Sequence, residues 1–103
     1  MNPTNKIIIL GIDPGFDRVG WSIATKQNRK FECIALGCIQ TNKTDSIFLR
    51  YQMILDELHK IITHFKPTQL AIETLFFSKN KKTALRVSEA RGIIIGTCIK
   101  NKL

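Results

Sequence analysis

A short apolar run near the N-terminus ends in an acidic residue and an immediate turn, and this pattern constrains the fold most strongly. The run at 7–10 leads into the segment 11–15, GIDPG, in which Asp13 is the acidic residue. Because the run is almost purely apolar, it predicts a strand over 7–13 that is buried on both faces. An Asp at the end of a buried strand is costly to place without a partner, and a metal ion or a metal-bound phosphate is the natural one.

Two further strands follow this turn. The stretch 18–26 alternates large apolar residues with Gly20, Ser22 and Ala24, and this small face would let a ligand or another backbone come close. Residues 27–30 are polar and predict a hairpin connection, and a third strand is predicted over 31–40.

The second half of the chain changes period. Apolar residues recur at helical spacing over 45–65, with Asp45 and Ser46 as N-terminal caps and Pro67 ending the helix. A short strand at 69–73 and a helix at 81–99 complete the order β-β-β-α-β-α. A helical crossover makes the first and fourth strands parallel neighbours, so Asp13 and Glu73 are expected at the same sheet edge.

This pair of carboxylates is the candidate site. Two adjacent carboxylates repel each other, and a cation between them stabilises the pair. Oxygen ligands suit Mg²⁺ or Mn²⁺, and phosphodiester cleavage commonly uses two such ions. The alternative is that Asp13 only caps the turn and Glu73 is only solvated at a strand end.

Composition favours a polyanionic partner. The chain of 103 residues carries a formal net charge of +8, which points to nucleic acid first and a membrane surface second. No signal peptide or transmembrane length is visible, so we expect a cytoplasmic protein without a membrane partner. Cys33 and Cys38 are expected to face opposite sides of one strand and, with Cys98, to be reduced and packed.

Five motifs in one order resemble the RuvC family of Holliday-junction resolvases. They are GIDPG at 11–15, GWSI at 20–23, AIETLFFSKN at 71–80, TAL at 83–85 and EARG at 89–92. The resemblance implies an α/β, RNase H-like fold with a mixed sheet. It also implies a homodimer and Mg²⁺-dependent nicking of four-way DNA junctions by symmetric cuts, in recombination and repair.

The resemblance also assigns roles. Asp13 and Glu73 are similar to the family's first two catalytic acids and would hold Mg²⁺, or Mn²⁺, with two ions in a complete site. Phe76 matches the aromatic residue that enters the junction and stacks on bases, although core packing is the alternative for Phe76 or Phe77.

Basic residues follow this aromatic pair. Lys79, Lys81 and Lys82 suit a loop that grips phosphate beside stacked bases. Arg86 and Arg91 would contact phosphate or cover a helix face, and for Arg91 we favour the helix face.

The chain departs from the family pattern near its end. The family completes its site with two further acids in a C-terminal helix, whereas this sequence has no Asp or Glu after Glu89. We therefore expect residues 1–103 to be a single RNase H-like domain, truncated at the C-terminus, with weak or absent cleavage. We also expect apolar surface to be exposed on one sheet face.

The implied partners are four-way junction DNA, a second copy of the chain bound through the helix at 81–99, and branch-migration motor proteins. Small residues recur in that helix at 84, 88, 92 and 96, which fits either a dimer seam or close packing inside the fold. Two alternative functions stay open, an actin-like ATPase fragment that binds nucleotide phosphates and a non-catalytic DNA-binding or dimerising remnant.

Overall fold

The computed structural model describes residues 6–74 and 80–103 and has the predicted order of elements. They are β1 (Ile7–Asp13), β2 (Arg18–Gln27), β3 (Lys30–Gln40), α1 (Ile47–Phe65), β4 (Gln69–Ile72) and α2 (Lys81–Lys100). Of the two predicted caps of α1, Ser46 is the one whose hydroxyl accepts the Leu49 N–H, at 3.3 Å. Lys66 ends α1 with a φ of 52°, directly before Pro67.

The described strands form one mixed sheet in the order β3-β2-β1-β4. β1 pairs antiparallel with β2 and parallel with β4, so that Ile12 lies opposite Ile72. Asn28 and Arg29 turn the β2–β3 hairpin with φ values of 52° and 67°, the left-handed pair that matches the twist of the flanking strands. The predicted parallel pairing of the first and fourth strands is confirmed.

The core lies on one face of the sheet. Leu10, Ile23, Leu58 and Ile94 are fully buried in a single cluster that joins the strands to both helices. Because α1 and α2 cover the same face, Ile9 on the other face of β1 is only half-buried. The prediction that β1 is buried on both faces is therefore wrong for the described residues.

The opposite face of the sheet is open in the part of the chain that the structure describes. Leu36 is 75% exposed, Phe31 65% and Ile34 49%. Apolar surface on one sheet face was the expectation from the sequence, and these exposures agree with it. Within 6–74 and 80–103, no helix has the length and apolar character needed to cross a membrane.

A β-bulge in β3 changes the orientation of two cysteines. Gly20 of β2 lies opposite Cys38 and Ala24 lies opposite Cys33, with a register shift beside Ile34. The extra residue shifts the alternation of side chains by one position, so Cys33 and Cys38 face the same side of the sheet. The prediction that they face opposite sides is wrong. Both thiols are also exposed, which corrects the prediction that they are packed.

Cys98 should therefore differ from the other two cysteines in reactivity. It is buried in the core, and burial raises the pKa of its thiol to about 11. We expect iodoacetamide at mildly alkaline pH to modify Cys33 and Cys38 in the native chain and Cys98 only after denaturation. Peptide mass spectrometry measures this pattern, and equal labelling of all three thiols in the native chain would contradict it.

The small residues of α2 point away from the core. Ser88, Gly92 and Gly96 are exposed, and a Cβ added at either glycine would meet nothing within 4 Å. The buried face of α2 instead contains Ala90 and Ile94. Close packing inside the fold is therefore excluded for Ser88, Gly92 and Gly96, whereas Ala84 is half-buried, and the dimer seam stays a prediction.

Candidate functional site

Two acidic residues meet where neighbouring parallel strands end. Asp13 is the last residue of β1, and Glu73 directly follows β4. The Glu73 N–H donates to the carbonyl oxygen of Ile12 at 3.3 Å, which continues the parallel pairing one residue beyond β4. The two carboxyl groups are close enough for Asp13 to raise the pKa of Glu73, and both residues are exposed. The structure thus brings together the two acids that the sequence singled out.

The Asp13 carboxyl changes the proton affinity of Glu73. The hydrogen bond with Asp13 is the largest cause that raises the pKa of Glu73, and the negative charge of Asp13 adds to it. Without a cation, the nearby Asp13 carboxyl therefore favours the protonated form of Glu73 more than in an isolated Glu.

Removing the Asp13 charge should reverse this effect. The pKa of Glu73 is raised in the folded chain. The contribution of Glu73 to the free energy of unfolding is therefore present below the ordinary Glu pKa and is lost as pH rises through the raised value. We expect Asp13→Asn to lower the pKa of Glu73 toward that of an ordinary Glu. A ¹³C NMR titration of the Glu73 carboxyl without divalent ions measures this, with Asp56→Asn as the control. An unchanged Glu73 titration in Asp13→Asn would show that the pair is not coupled.

A cleft of about 550 Å³ lies over the two acids. Small residues make up half of its lining and leave room above the sheet, and both acids line it as well. The small residues that line it are Gly11, Gly20, Ser22, Gly37 and Ala71. The predicted open approach to the small face of β2 is therefore confirmed for Gly20 and Ser22.

The turn at 14–17 that follows β1 is tight and is held from two directions. A Cβ on Gly15 would lie 2.3 Å from a carbonyl oxygen at the start of β2, so this close approach requires glycine. Asp17 forms an ion pair with Arg50 of α1. The N–H of Thr41, just after β3, donates to the Asp17 carbonyl oxygen at 2.9 Å. The segment directly after Asp13 is thus fixed to the rest of the fold.

Arg91 of α2 contacts the segment that carries Glu73. Its Nε donates to the backbone carbonyl oxygen of Glu73 at 3.3 Å, and its side chain is partly buried. The interpretation of Arg91 as a residue that only covers a helix face is therefore wrong. The bond ties α2 to the residue that carries the second carboxylate.

Arg86 belongs to a polar cluster between the two helices. Its Nη1 donates to Glu89 Oε1 at 3.1 Å, and the Tyr51 hydroxyl donates to the same oxygen at 2.7 Å. The hydrogen bond from Tyr51, and then that from Arg86, lowers the pKa of Glu89. Arg86 is therefore engaged by Glu89 and does not line the cleft.

The remaining predicted DNA contacts lie between β4 and the first turn of α2. Lys81 and Lys82 are the first residues of α2 and are exposed, but they do not line the cleft. Phe76, Phe77 and Lys79 lie outside the described residues, so their predicted roles stay predictions.

The carboxylate pair has the chemistry that a hard divalent cation requires. Its carboxyl oxygens are exposed and interact with each other, and a cation between them would offset their mutual repulsion. Among residues 6–74 and 80–103, no third His, Cys, Asp or Glu joins Asp13 and Glu73 in a larger cluster. The residues present fit a cation that keeps part of its coordination for water, phosphate or further ligands.

Comparison with known proteins identifies close relatives of this sequence. A family model described as crossover junction endodeoxyribonuclease RuvC matches residues 9–103. The protein of that name from Finegoldia magna is 46% identical over 95 residues, which are 92% of this chain and 58% of the relative. The one from Borrelia turicatae is 47% identical over 94 residues, which are 90% of this chain and 58% of the relative. The chain thus spans less than two thirds of the length of these relatives.

Solved structures show the same fold. The structure titled T. thermophilus RuvC in complex with Holliday junction substrate matches with a TM-score of 0.84 at 20% identity, over 94% of this chain and 60% of the other. The Aquifex aeolicus PPX-GPPA enzyme matches with a TM-score of 0.56 at 17% identity, over 95% of this chain and 34% of the other. The RNase H-like fold predicted from the sequence is confirmed by the first match.

Proposed function

Because this chain belongs to the RuvC family, we propose that it acts as a crossover junction endodeoxyribonuclease and hydrolyses phosphodiester bonds in four-way DNA junctions. The observation that carries the proposal is the meeting of Asp13 and Glu73 at the ends of two parallel strands, where their carboxyl groups interact. Such ends are where α/β sheets place their sites. We also propose that residues 1–103 act as one domain, since a single core cluster joins the described elements.

Asp13 and Glu73 are the proposed catalytic residues and metal ligands. Two bound Mg²⁺ ions, or Mn²⁺, would supply activation of water and stabilisation of the leaving oxygen in a complete site. The carboxylates contribute fixed negative charge at a cleft edge that the backbone of a DNA strand can reach. The small residues around them leave the space that a phosphate and its sugar need.

Basic residues that follow β4 in the chain are the proposed DNA contacts. Lys81 and Lys82 lie at the exposed N-terminal end of α2, where backbone N–H groups also favour anions. Phe76 and Lys79 are proposed for base stacking and phosphate contact on the strength of the family motif alone. Arg86 already donates to Glu89, whose charge offsets part of its own, so we expect Arg86→Gln to weaken junction binding less than Lys81→Gln does.

A second copy of the chain is the proposed protein partner. Gly92 and Gly96 lie on an exposed face of α2 that another helix could approach closely, with Leu85 and Ile99 exposed on the same helix. We expect Gly96→Leu to shift a dimer toward monomer in sedimentation equilibrium. Branch-migration motor proteins as partners, and the cytoplasm as location, are proposed from the family's DNA substrate alone.

The two alternatives lose support. The match to the RuvC family over residues 9–103 does not favour an actin-like ATPase fragment. A non-catalytic DNA-binding remnant would bind junctions equally well without Mg²⁺ and without either acid, which separates it from the proposed nuclease.

The test is incubation of the chain with a labelled four-way junction and with a linear duplex of the same sequence. We expect the chain to prefer the junction, and any nicking to require Mg²⁺ or Mn²⁺ and to vanish in Asp13→Asn. Binding should weaken steeply as salt rises. Equal binding of duplex and junction, or nicking that is unchanged in Asp13→Asn, would overturn the proposal.

A further inference from the structure

We propose that Arg50 is a positioning residue for Asp13, and that it acts by fixing the turn at 14–17. The inference rests on the proposed function, because it assigns Arg50 to the same carboxylate site. Arg50 lies in the first turn of α1, and its side chain is only 10% exposed. It is the charged residue among the buried positions of the described chain. Such a residue needs partners, and all of them lie near the turn.

Arg50 makes three contacts with this region. Its Nη2 pairs with the Asp17 carboxylate, and its Nε donates to Thr41 Oγ1 at 3.0 Å. The guanidinium carbon also lies 5.0 Å from the centre of the Phe16 ring. Ionic hydrogen bonds of this kind are roughly twice as strong as neutral ones, and burial protects them from water.

Thr41 completes the network. Its hydroxyl donates to the carbonyl oxygen of Phe16 at 2.6 Å, and its N–H donates to that of Asp17 at 2.9 Å. The side chains and the backbone of residues 16 and 17 are therefore both held. Gly15 also lies close to the start of β2, so residues 15–17 of the turn are all constrained by neighbouring elements. Movement of residues 16 and 17 would be passed to Asp13.

The turn network and the acid pair are thus parts of one arrangement. Asp13 is held on one side by its pairing with Gly20 in β2 and continues on the other into the turn. Glu73 is held separately, by Ile12 and by Arg91. The separation between the two carboxylates therefore depends on the turn, and Arg50 is the side chain that connects this turn to α1.

The experiment compares Arg50→Met and Thr41→Val with Thr41→Ser, which keeps the hydroxyl. Tyr51→Phe is the matched control, because it removes hydrogen bonds from the neighbouring position of α1 without touching the turn. Two readouts are used, the backbone amide NMR shifts of Asp13 and Glu73 without metal, and the Mn²⁺ affinity measured by electron paramagnetic resonance. Arg50→Lys, which keeps the charge, replaces Arg50→Met if that variant does not fold.

We expect Arg50→Met and Thr41→Val to shift the Asp13 and Glu73 amides and to weaken Mn²⁺ binding about tenfold, the low end of what outer partners of metal ligands contribute. Thr41→Ser and Tyr51→Phe should have amide shifts and a Mn²⁺ affinity close to those of the unchanged chain. The proposal is overturned if Arg50→Met leaves both amide shifts unchanged. If the unchanged chain and Asp13→Asn both fail to bind Mn²⁺, the metal site is wrong, and the amide shifts alone decide the role of Arg50.

Discussion

Replacing Asp13 with Asn is expected to lower the affinity of the chain for Mn²⁺ by at least about a hundredfold, because loss of a direct ligand should exceed the effect of losing an outer partner. Asn has nearly the same shape, so the fold and the pairing of Asp13 with Gly20 should be retained. What is lost is one of two anionic groups, and a hard cation depends on their charge. Titration followed by electron paramagnetic resonance of free Mn²⁺ measures the affinity.

The control for this variant is Asp56→Asn. Asp56 is an exposed residue of α1 that accepts a hydrogen bond from Gln52 at 2.9 Å and does not line the cleft of the acid pair. The same chemical change there should leave Mn²⁺ binding intact. Equal losses in Asp13→Asn and Asp56→Asn would mean that Mn²⁺ responds only to net charge and not to a site.

Gly15→Ala is expected to destabilise the chain by about 3 kcal/mol, the upper end of overpacking effects. The added Cβ would lie 2.3 Å from the carbonyl oxygen of Arg18, and a backbone atom cannot rotate away as a side chain can. For a domain of this size, such a loss lowers Tm by roughly 10 °C or more. Because the turn continues from Asp13, Mn²⁺ binding should weaken in the same variant.

Gly92→Ala is the matched control for this second prediction. A Cβ at Gly92 would have nothing within 4 Å, and the residue lies inside α2. Alanine there should therefore raise the free energy of unfolding by roughly 0.5–1 kcal/mol, the usual difference between glycine and alanine in a helix. Thermal melts of the dilute protein compare the two variants. Similar melting temperatures for Gly15→Ala and Gly92→Ala would contradict the steric explanation.

The elements and the acid pair were predictable because each has a local signal. The short apolar run before Asp13, bounded by a Pro-Gly turn, favours a strand, and the helical spacing of α1 ended by Pro67 favours a crossover connection. That crossover is what makes β1 and β4 parallel. The meeting of Asp13 and Glu73 then follows from the fold, since both lie at carboxyl ends.

The contacts that hold the site were less accessible from sequence. The bulge at Ile34 has no glycine or other local signal, and it reverses the predicted orientation of Cys33 relative to Cys38. The sequence alone indicates an ordinary surface cation at Arg91. Its bond to the Glu73 carbonyl oxygen joins two segments that only tertiary packing brings together, so no local pattern predicts it. A weak signal did exist for Arg50. It lies one helical turn before Ile54 on the buried stripe of α1, where a charge requires a partner.

The most direct test of the metal site is the titration of the Glu73 carboxyl by ¹³C NMR with and without Mg²⁺. If Asp13 and Glu73 hold a cation together, Mg²⁺ should favour the ionised form of Glu73 and lower its raised pKa. The same addition should change little in Asp13→Asn. A Glu73 pKa that Mg²⁺ leaves unchanged in the native chain would contradict a metal centre at these two strand ends.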